Sequence, residues 1–258
     1  MITHAVIVAG HAILRRFDNI EADESWMLLD FQKGEPKHYI RHVQRGVEVA
    51  AADAEALLIF SGGQSRLEAG PRSEAHTYFA IADMRDWWGL RDVASRAITE
   101  EFARDSFENL LFGICRFKEY TGAYPQHVTL VSWGFKEDRF HLHREAICWP
   151  RERFTYDAPN DPDAIEQALR AEQNAIRNYT ADPYSSSAQY VAKRAERNPF
   201  RRQHGYFTSC PEGAPVLLHQ GPDTLPEAVA PWNFRLDLST SDATEHGQAN
   251  QTGTHQSV

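Results

Sequence analysis

The sequence predicts an α/β domain with a mostly parallel sheet covered by helices on both faces. Three observations carry this. Short β-branched or apolar runs recur along the chain, segments of helical periodicity separate them, and the runs are apolar at consecutive positions rather than alternate ones. Near-continuous apolar strands are buried on both faces, and parallel pairing needs a long crossover, which a helix supplies.

The first strand is His4-Ala5-Val6-Ile7-Val8-Ala9-Gly10 and the second Ala56-Leu57-Leu58-Ile59-Phe60. Arg96-Ala97-Ile98-Thr99 is a short third, His127-Val128-Thr129-Leu130-Val131-Ser132 a fourth, and Arg153-Phe154-Thr155-Tyr156 a fifth. Between them, Val43, Val47, Ala50 and Ala54 are spaced to line one helix face. Ala75, Tyr78, Phe79 and Ala82 do so after Ser73, and Phe107, Leu110, Leu111 and Ile114 after Asp105. Asp161-Pro162 reads as a further helix start, with Asp as cap and Pro at the first helical position.

Domain organisation follows from where this alternation stops. Residues 1–178 form the α/β core. From about Tyr179, Pro183, Pro199, Pro211, Pro215, Pro222, Pro226 and Pro231 break the pattern into short helices and loops, so 179–238 is read as an extension wrapping over the core. Residues 239–258 are rich in Ser, Thr, Gln, Asn, Gly and His, and disorder is the expectation there.

With 258 residues, 42% of them hydrophobic, the chain can bury one substantial core. It has no run of about 18 apolar residues and so no membrane-spanning helix. The segment Met1-Ile2-Thr3-His4 lacks a secretory leader's pattern, and Cys115, Cys148 and Cys210 fit neither a disulfide framework nor a zinc site. A soluble, cytoplasmic protein is expected. The net charge of -9 argues against general nucleic-acid binding.

In open parallel sheets, ligands bind beyond the carboxyl ends of the strands. The residues at those exits are small, polar or charged throughout. They are Gly10 and His11; Ser61-Gly62-Gly63-Gln64; Glu100 and Glu101 with Arg104 and Asp105; and Ser132, followed by Trp133 and Gly134. Ser61-Gly62-Gly63-Gln64 has the make-up of an anion cradle, two glycines letting backbone N–H groups approach one oxyanion; a tight turn is the other reading. Arg72, beside that loop and next to the helix N-cap Ser73, suits a phosphate or carboxylate, and Glu74 opens the helix. Asp105-x-x-Glu108 has the form of a capping box, with Asn109 one residue on. Glu100 and Glu101 lie at a strand exit, where one could act as general base with Arg104 as charge partner. His11 is either a base, a ligand or a structural histidine. His141-Leu142-His143 are not spaced to share one helix face, so no metal site is expected there. Arg139, beside the fourth exit, is the better candidate as an anion clamp. The basic run Lys193, Arg194, Arg197, Arg201 and Arg202 either neutralises the acidic core or closes over an anionic ligand. Glycine-rich dinucleotide and phosphate-loop signatures and the nucleophile elbow are absent.

The order Val-Ile-Val-x-Gly, Ser61-Gly62-Gly63, Ser73-Glu74-Ala75, Glu100 through Glu108-Asn109, and a strand ending at Ser132 resembles the YdcF-like family. This is the domain of unknown function numbered 218, with the bacterial SanA and ElyC proteins. Leu-Ile-Phe-Ser-Gly-Gly-Gln, Gly-Pro-Arg-Ser-Glu-Ala, Glu-Phe-Ala-Arg-Asp-Ser-Phe-Glu-Asn and Arg-Asn-Pro-Phe-Arg-Arg are similar to its fungal branch. The resemblance runs from about residue 4 to 211. It implies a Rossmann-like three-layer sandwich and puts Gly62, Gly63, Glu74, Glu100, Glu108, Asn109 and Ser132 at the family's polar positions. It also implies S-adenosylmethionine as a possible cofactor. Phe135 stands where bacterial members carry a histidine, and Asp105-Ser106 where the family has Asn-Thr.

The resulting expectation is a small-molecule enzyme acting on an anionic or nucleotide-like substrate. Gly10, Ser61, Gly62, Gly63, Gln64, Arg72, Arg104, Asp105, Glu108, Asn109, Ser132 and Arg139 would bind it, and Glu100, Glu101, Glu74 or His11 would handle protons. The alternatives are a non-catalytic module for a nucleoside or S-adenosylmethionine, and a fungal biosynthetic enzyme with changed chemistry on the same scaffold.

Overall fold

Consecutive residues of the first strand, β1 (His4–Ala9), point to opposite faces of the sheet, and each face has its own core. Ala5, Ile7 and Ala9 join one cluster, Val6 and Val8 the other, all at most 1% exposed. That double burial is why the run is apolar without alternation. A computed structural model describes residues 1–233; the expected disordered tail at 239–258 lies outside the described residues.

The remaining strands of the sheet are β2 (Ala56–Ser61), β3 (Ala97–Glu100), β4 (His127–Val131) and β5 (Phe154–Asp157). All pair in parallel, in the order β3-β2-β1-β4-β5. This is a Rossmann-like three-layer α/β fold, with β1 central and the chain reversing its direction of growth between β1 and β4. A two-residue antiparallel ribbon, Ile13–Leu14 with Trp26–Met27, follows β1.

Helices α1 (Pro36–Ala51) and α2 (Glu74–Met84) cover one face. In α1, Val43, Val47 and Ala50 are buried as the spacing requires; Ala54 lies past the helix end and is exposed. Ser73 caps α2 by accepting from the His76 N–H, a bond worth about 1 kcal/mol at a helix start. Helices α3 (Ser106–Thr121) and α4 (Glu137–Ala146) cover the other face. Two helical glycines meet β1 from opposite sides. A Cβ at Gly113 would sit 2.6 Å from Ile7 Cδ1, and one at Gly46 2.3 Å from Val8 Cγ2.

Helix α5 spans Ile165–Ala181, starting later than Asp161-Pro162 predicts. The reason is local: the Asp161 carboxylate accepts from the Phe135 N–H at 2.7 Å, so it ties down the β4 exit instead of capping a helix. Helices α6 (Ala188–Glu196), α7 (Tyr206–Ser209) and α8 (Ala214–Leu218) follow. Tyr184, Tyr206, Cys210, Val216 and Trp232 from this last stretch are buried in the same core as α3 and α4. None of the described helices is long and apolar enough to cross a membrane.

Candidate functional site

A cleft of about 380 Å³ opens at the carboxyl ends of the strands, where the sheet's direction of growth reverses. Gly10 and His11 after β1 form its floor. Ala103 to Ser106 after β3 line one wall, and Trp133, Phe135 and Lys136 after β4 the other. Arg139 and Glu172 contribute from α4 and α5, Lys193 and Arg197 from α6 and just beyond it, and Glu35 and Tyr39 from the start of α1.

Carboxylates partner some of these cations. Arg139 grips Glu172 with two guanidinium nitrogens, and Arg104 grips Glu108 through Nε at 2.8 Å and Nη2. Lys136, Lys193 and Arg197 have no carboxylate partner among the described residues; Arg197 Nη1 donates only to the Arg104 carbonyl at 3.0 Å. Lys136 keeps part of its surface open to the cleft while protein crowds its other sides. Burial, reinforced by Arg139, lowers its pKa to about 7. Burial, with Arg197 beside it, lowers Lys193 to about 8. In both, burial is the main cause and neighbouring guanidinium groups add to it against the opposing pull of nearby carboxylates.

Around Lys136, whose Nζ lies 5.4 Å from the Phe135 ring centroid, the lining turns aromatic. His11 lies near Tyr39, His42 and Trp133, with ring centroids 5.3 to 5.8 Å away. Burial and the nearby Lys136 hold its pKa well below the usual imidazole value, so it is neutral near pH 7. The Tyr39 hydroxyl donates to Glu35, whose pKa burial pushes up. Glu74 sits over the floor, and the Ser65 hydroxyl donates to it. A Cβ at Gly10 or at Gly62 would lie 2.7 Å from the Glu74 Cβ, so these glycines give the glutamate its room.

Several predicted site residues face the cleft: Gly10, His11, Glu74, Arg104, Asp105, Asn109 and Arg139. Others do not. Glu100 is fully buried beneath the wall, accepting from the Phe102 and Ala103 N–H groups, the Tyr206 hydroxyl and, at 2.8 Å, Ser61. Burial raises its pKa to about 7, yet it reaches no open space. Glu101 lies outside the cleft near Arg202. The expectation that Gly10, Ser61, Gly63, Glu100 and Ser132 line one pocket therefore holds for Gly10 alone.

The loop Ser61-Gly62-Gly63-Gln64 is not a free anion cradle. Gly62 N–H donates to the Glu100 carbonyl at 3.0 Å and Gly63 N–H to the Ala103 carbonyl at 2.7 Å, so neither amide is left for a ligand. Gln64 donates to the Pro71 carbonyl, and Arg72 to the carbonyls of Leu14 and Arg15. Ser132 is fully buried behind His11, its Oγ 3.5 Å from Nε2. Glu108 is buried away from the cleft between Arg104 and Arg194, and it accepts from the Arg104 N–H rather than closing a capping box on Asp105. Asp105 does cap α3, accepting from Glu108 N–H at 2.9 Å. Burial works against its charge, but Arg194, at 2.7 Å, outweighs it and holds the pKa at about 2.

One curated relative matches the chain. It is the Saccharomyces cerevisiae protein called Uncharacterized protein YOR238W, 26% identical, with the match covering 71% of this chain and 77% of the yeast protein. No family model matches the chain, and no solved structure does.

The strand-exit rule did not point to Glu35, Tyr39, Ser106, Lys136 or Glu172, which also line the cleft. Lys136 had a usable signal, since it follows the fourth exit by four residues in Trp133-Gly134-Phe135-Lys136. Ser106 was visible as the helix residue after its cap and as half of the Asp105-Ser106 pair that replaces the resembled family's Asn-Thr. Glu35 lies at the start of α1 and Glu172 midway along α5, both far from any exit in sequence, and only packing brings them in.

Proposed function

We propose that this chain is a YdcF-like small-molecule enzyme whose cleft takes an anionic, nucleotide-like substrate. One observation carries the reading: Lys136, Lys193 and Arg197 face the same cleft with no carboxylate partner among the described residues. Uncompensated cations in a partly desolvated site are costly, and a bound anion removes that cost. Arg139, although paired with Glu172, adds a planar donor beside them.

The aromatic lining beside Lys136 suits a flat, polar ring. Half-buried Phe135 offers aromatic surface, backed by the buried rings of Trp133 and Tyr39, and Glu35 offers a carboxyl to an amino group. Neutral His11 and Glu74 face the substrate as proton acceptors, and Lys136 is poised to gain or lose a proton near neutrality. The cationic end argues against S-adenosylmethionine as the ligand, because its sulfonium would add to a like-charge cluster.

Calorimetric titration with adenosine monophosphate, inorganic phosphate and uncharged adenosine tests the proposal. Both phosphates should bind, with adenosine weaker. The double variant Lys193→Met/Arg197→Met should bind both phosphates at least about 10-fold more weakly, equivalent to about 1.4 kcal/mol. Equal affinity in wild type and double variant would contradict the reading.

A further inference from the structure

Beside the cation cluster lies a hydroxyl that the reading above leaves unused. Ser106 opens α3, lines the cleft, and places its Oγ 2.8 Å from His143 Nε2. His143 comes from α4 and is only 1% exposed. Phe107, Phe140 and Tyr179 hold its ring edge to face, with centroids 5.6, 5.7 and 4.4 Å away. Its Nδ1 has no partner among the described residues, so nothing there fixes the tautomer, and Nε2 is free to be the proton acceptor. A serine hydroxyl facing an open cleft and bonded to a rigidly held imidazole is the arrangement of an activated nucleophile.

We infer that Ser106 is the nucleophile of this site, that His143 takes its proton, and that the electrophile is the phosphorus of a phosphate monoester. The inference rests on the anion-binding reading of the cleft and names the reaction within it. Phosphorus is favoured over an acyl carbon by the surroundings. Arg139 and Lys193 lie close enough to His143 to act on its charge, and they belong to the same cluster as Lys136 and Arg197. Positive groups arrayed around a nucleophile suit the dispersed negative charge of a transferring phosphoryl group.

The steps balance on these groups. Ser106 Oγ bonds to phosphorus as its proton passes to His143 Nε2. The bond from phosphorus to the ester oxygen breaks, its electron pair stays on that oxygen, and the Lys136 ammonium protonates the departing alcohol. Water then attacks the phosphoserine, giving a proton to the Lys136 amine. The Oγ–phosphorus bond breaks, and His143 returns its proton to Oγ. Inorganic phosphate leaves with every group restored. Burial, opposed by Asp105 and reinforced by Arg139, Arg194 and Lys193, holds His143 at a pKa of about 3. A phosphate dianion offsets those cations, so the substrate's own charge makes His143 a better base.

The test uses inorganic phosphate, so the natural alcohol need not be known. Reversible phosphoserine formation from phosphate expels water, and in isotopically labelled water it exchanges the phosphate oxygens. Wild-type protein should catalyse the exchange, and acid-quenched protein should carry a phosphoryl group on the peptide containing Ser106. Ser106→Ala should lose exchange by about 10³-fold or more while binding phosphate as before, and His143→Asn should slow it about 10²-fold. If His143→Asn fails to fold, the Ser106 variant and the labelled peptide still decide. Exchange undiminished in Ser106→Ala, or a phosphoryl group on another residue, overturns the assignment. Phosphate binding with neither exchange nor labelling overturns it too and leaves the anion site standing. A wild-type protein that binds no phosphate overturns both.

Discussion

Replacing Arg194 by methionine keeps most of the side chain's length and apolar contact but removes the guanidinium that bridges Asp105 at 2.7 Å and Glu108 at 3.2 Å. The carboxylates are almost wholly buried, with side chains 0% and 3% exposed, so neither can turn to water for compensation. Breaking a buried pair by removing one partner costs about 3–5 kcal/mol. Asp105 supplies an independent figure: its folded pKa of about 2, against an ordinary 3.8, corresponds to about 2.5 kcal/mol of stability near neutrality. We expect Arg194→Met to lose about 3 kcal/mol near neutral pH. A depressed carboxylate pKa contributes stability above the unfolded value and loses it as pH falls through the folded one. The variant's Asp105 has no such depression. The unfolded chain is common to both proteins, so the gap between them should close as pH falls toward about 2. Urea unfolding followed by tryptophan fluorescence, at about pH 7 and about pH 3, measures it. A loss of the same size at both would show that Arg194 acts through packing on the Phe107 ring, 5.8 Å away, and would refute the electrostatic argument. No loss near neutrality would refute it as well.

Glu100→Gln should leave any turnover and phosphate binding unchanged, because Glu100 never reaches the cleft. Its pKa is raised to about 7 by burial, so the wild type should lose up to about 3 kcal/mol of stability as pH rises from about 4.5 to about 7. That slope should flatten in Glu100→Gln; an unchanged slope in urea titrations would count against it. Gly113→Ala drives a methyl to 2.6 Å from Ile7 Cδ1 and should destabilise by about 1–2 kcal/mol, despite alanine's better helix propensity. A stabilised Gly113→Ala in thermal melts would show that α3 can shift off the sheet. Lys136 and Lys193, lowered to about 7 and about 8, should take up protons when phosphate binds, most strongly between about pH 7 and pH 9. Calorimetry in buffers of differing ionisation heat reads this uptake, and none in Lys136→Met/Lys193→Met is the expected control.

The strands and most helices were legible because burial on both faces imposes a composition that survives in the sequence. Val6 and Ile7 are adjacent, apolar and fully buried on opposite sides of one sheet, and only a covered parallel strand needs that. The strand-exit rule placed Gly10, His11, Arg104 and Asp105 at the cleft, and the family resemblance added Asn109. It failed where an exit residue turns inward. Ser61 and Glu100 share a register position on neighbouring strands, so Ser61 bonds Glu100 instead of a ligand, and Tyr206, 106 residues further on, seals Glu100 from the far side. No local pattern encodes that seal. Asp161 is a similar case: as a helix cap it is locally sensible, yet the Phe135 N–H at the β4 exit binds it. The basic run that begins in α6 divides in the same way. Arg194 is structural and Lys193 faces the cleft, though they are neighbours in sequence, because a helix points them in different directions.

The proposed function requires Lys136, Lys193 and Arg197 to hold an oxyanion together. A crystal of the protein soaked in tungstate, a tetrahedral oxyanion visible by its anomalous scattering, tests this most directly. Tungstate should lie within hydrogen-bonding reach of Lys136, Lys193 and Arg197, and should be absent from crystals of Lys193→Met/Arg197→Met. Ordered tungstate only at other surfaces of the wild type, with none at these three cations, would contradict it.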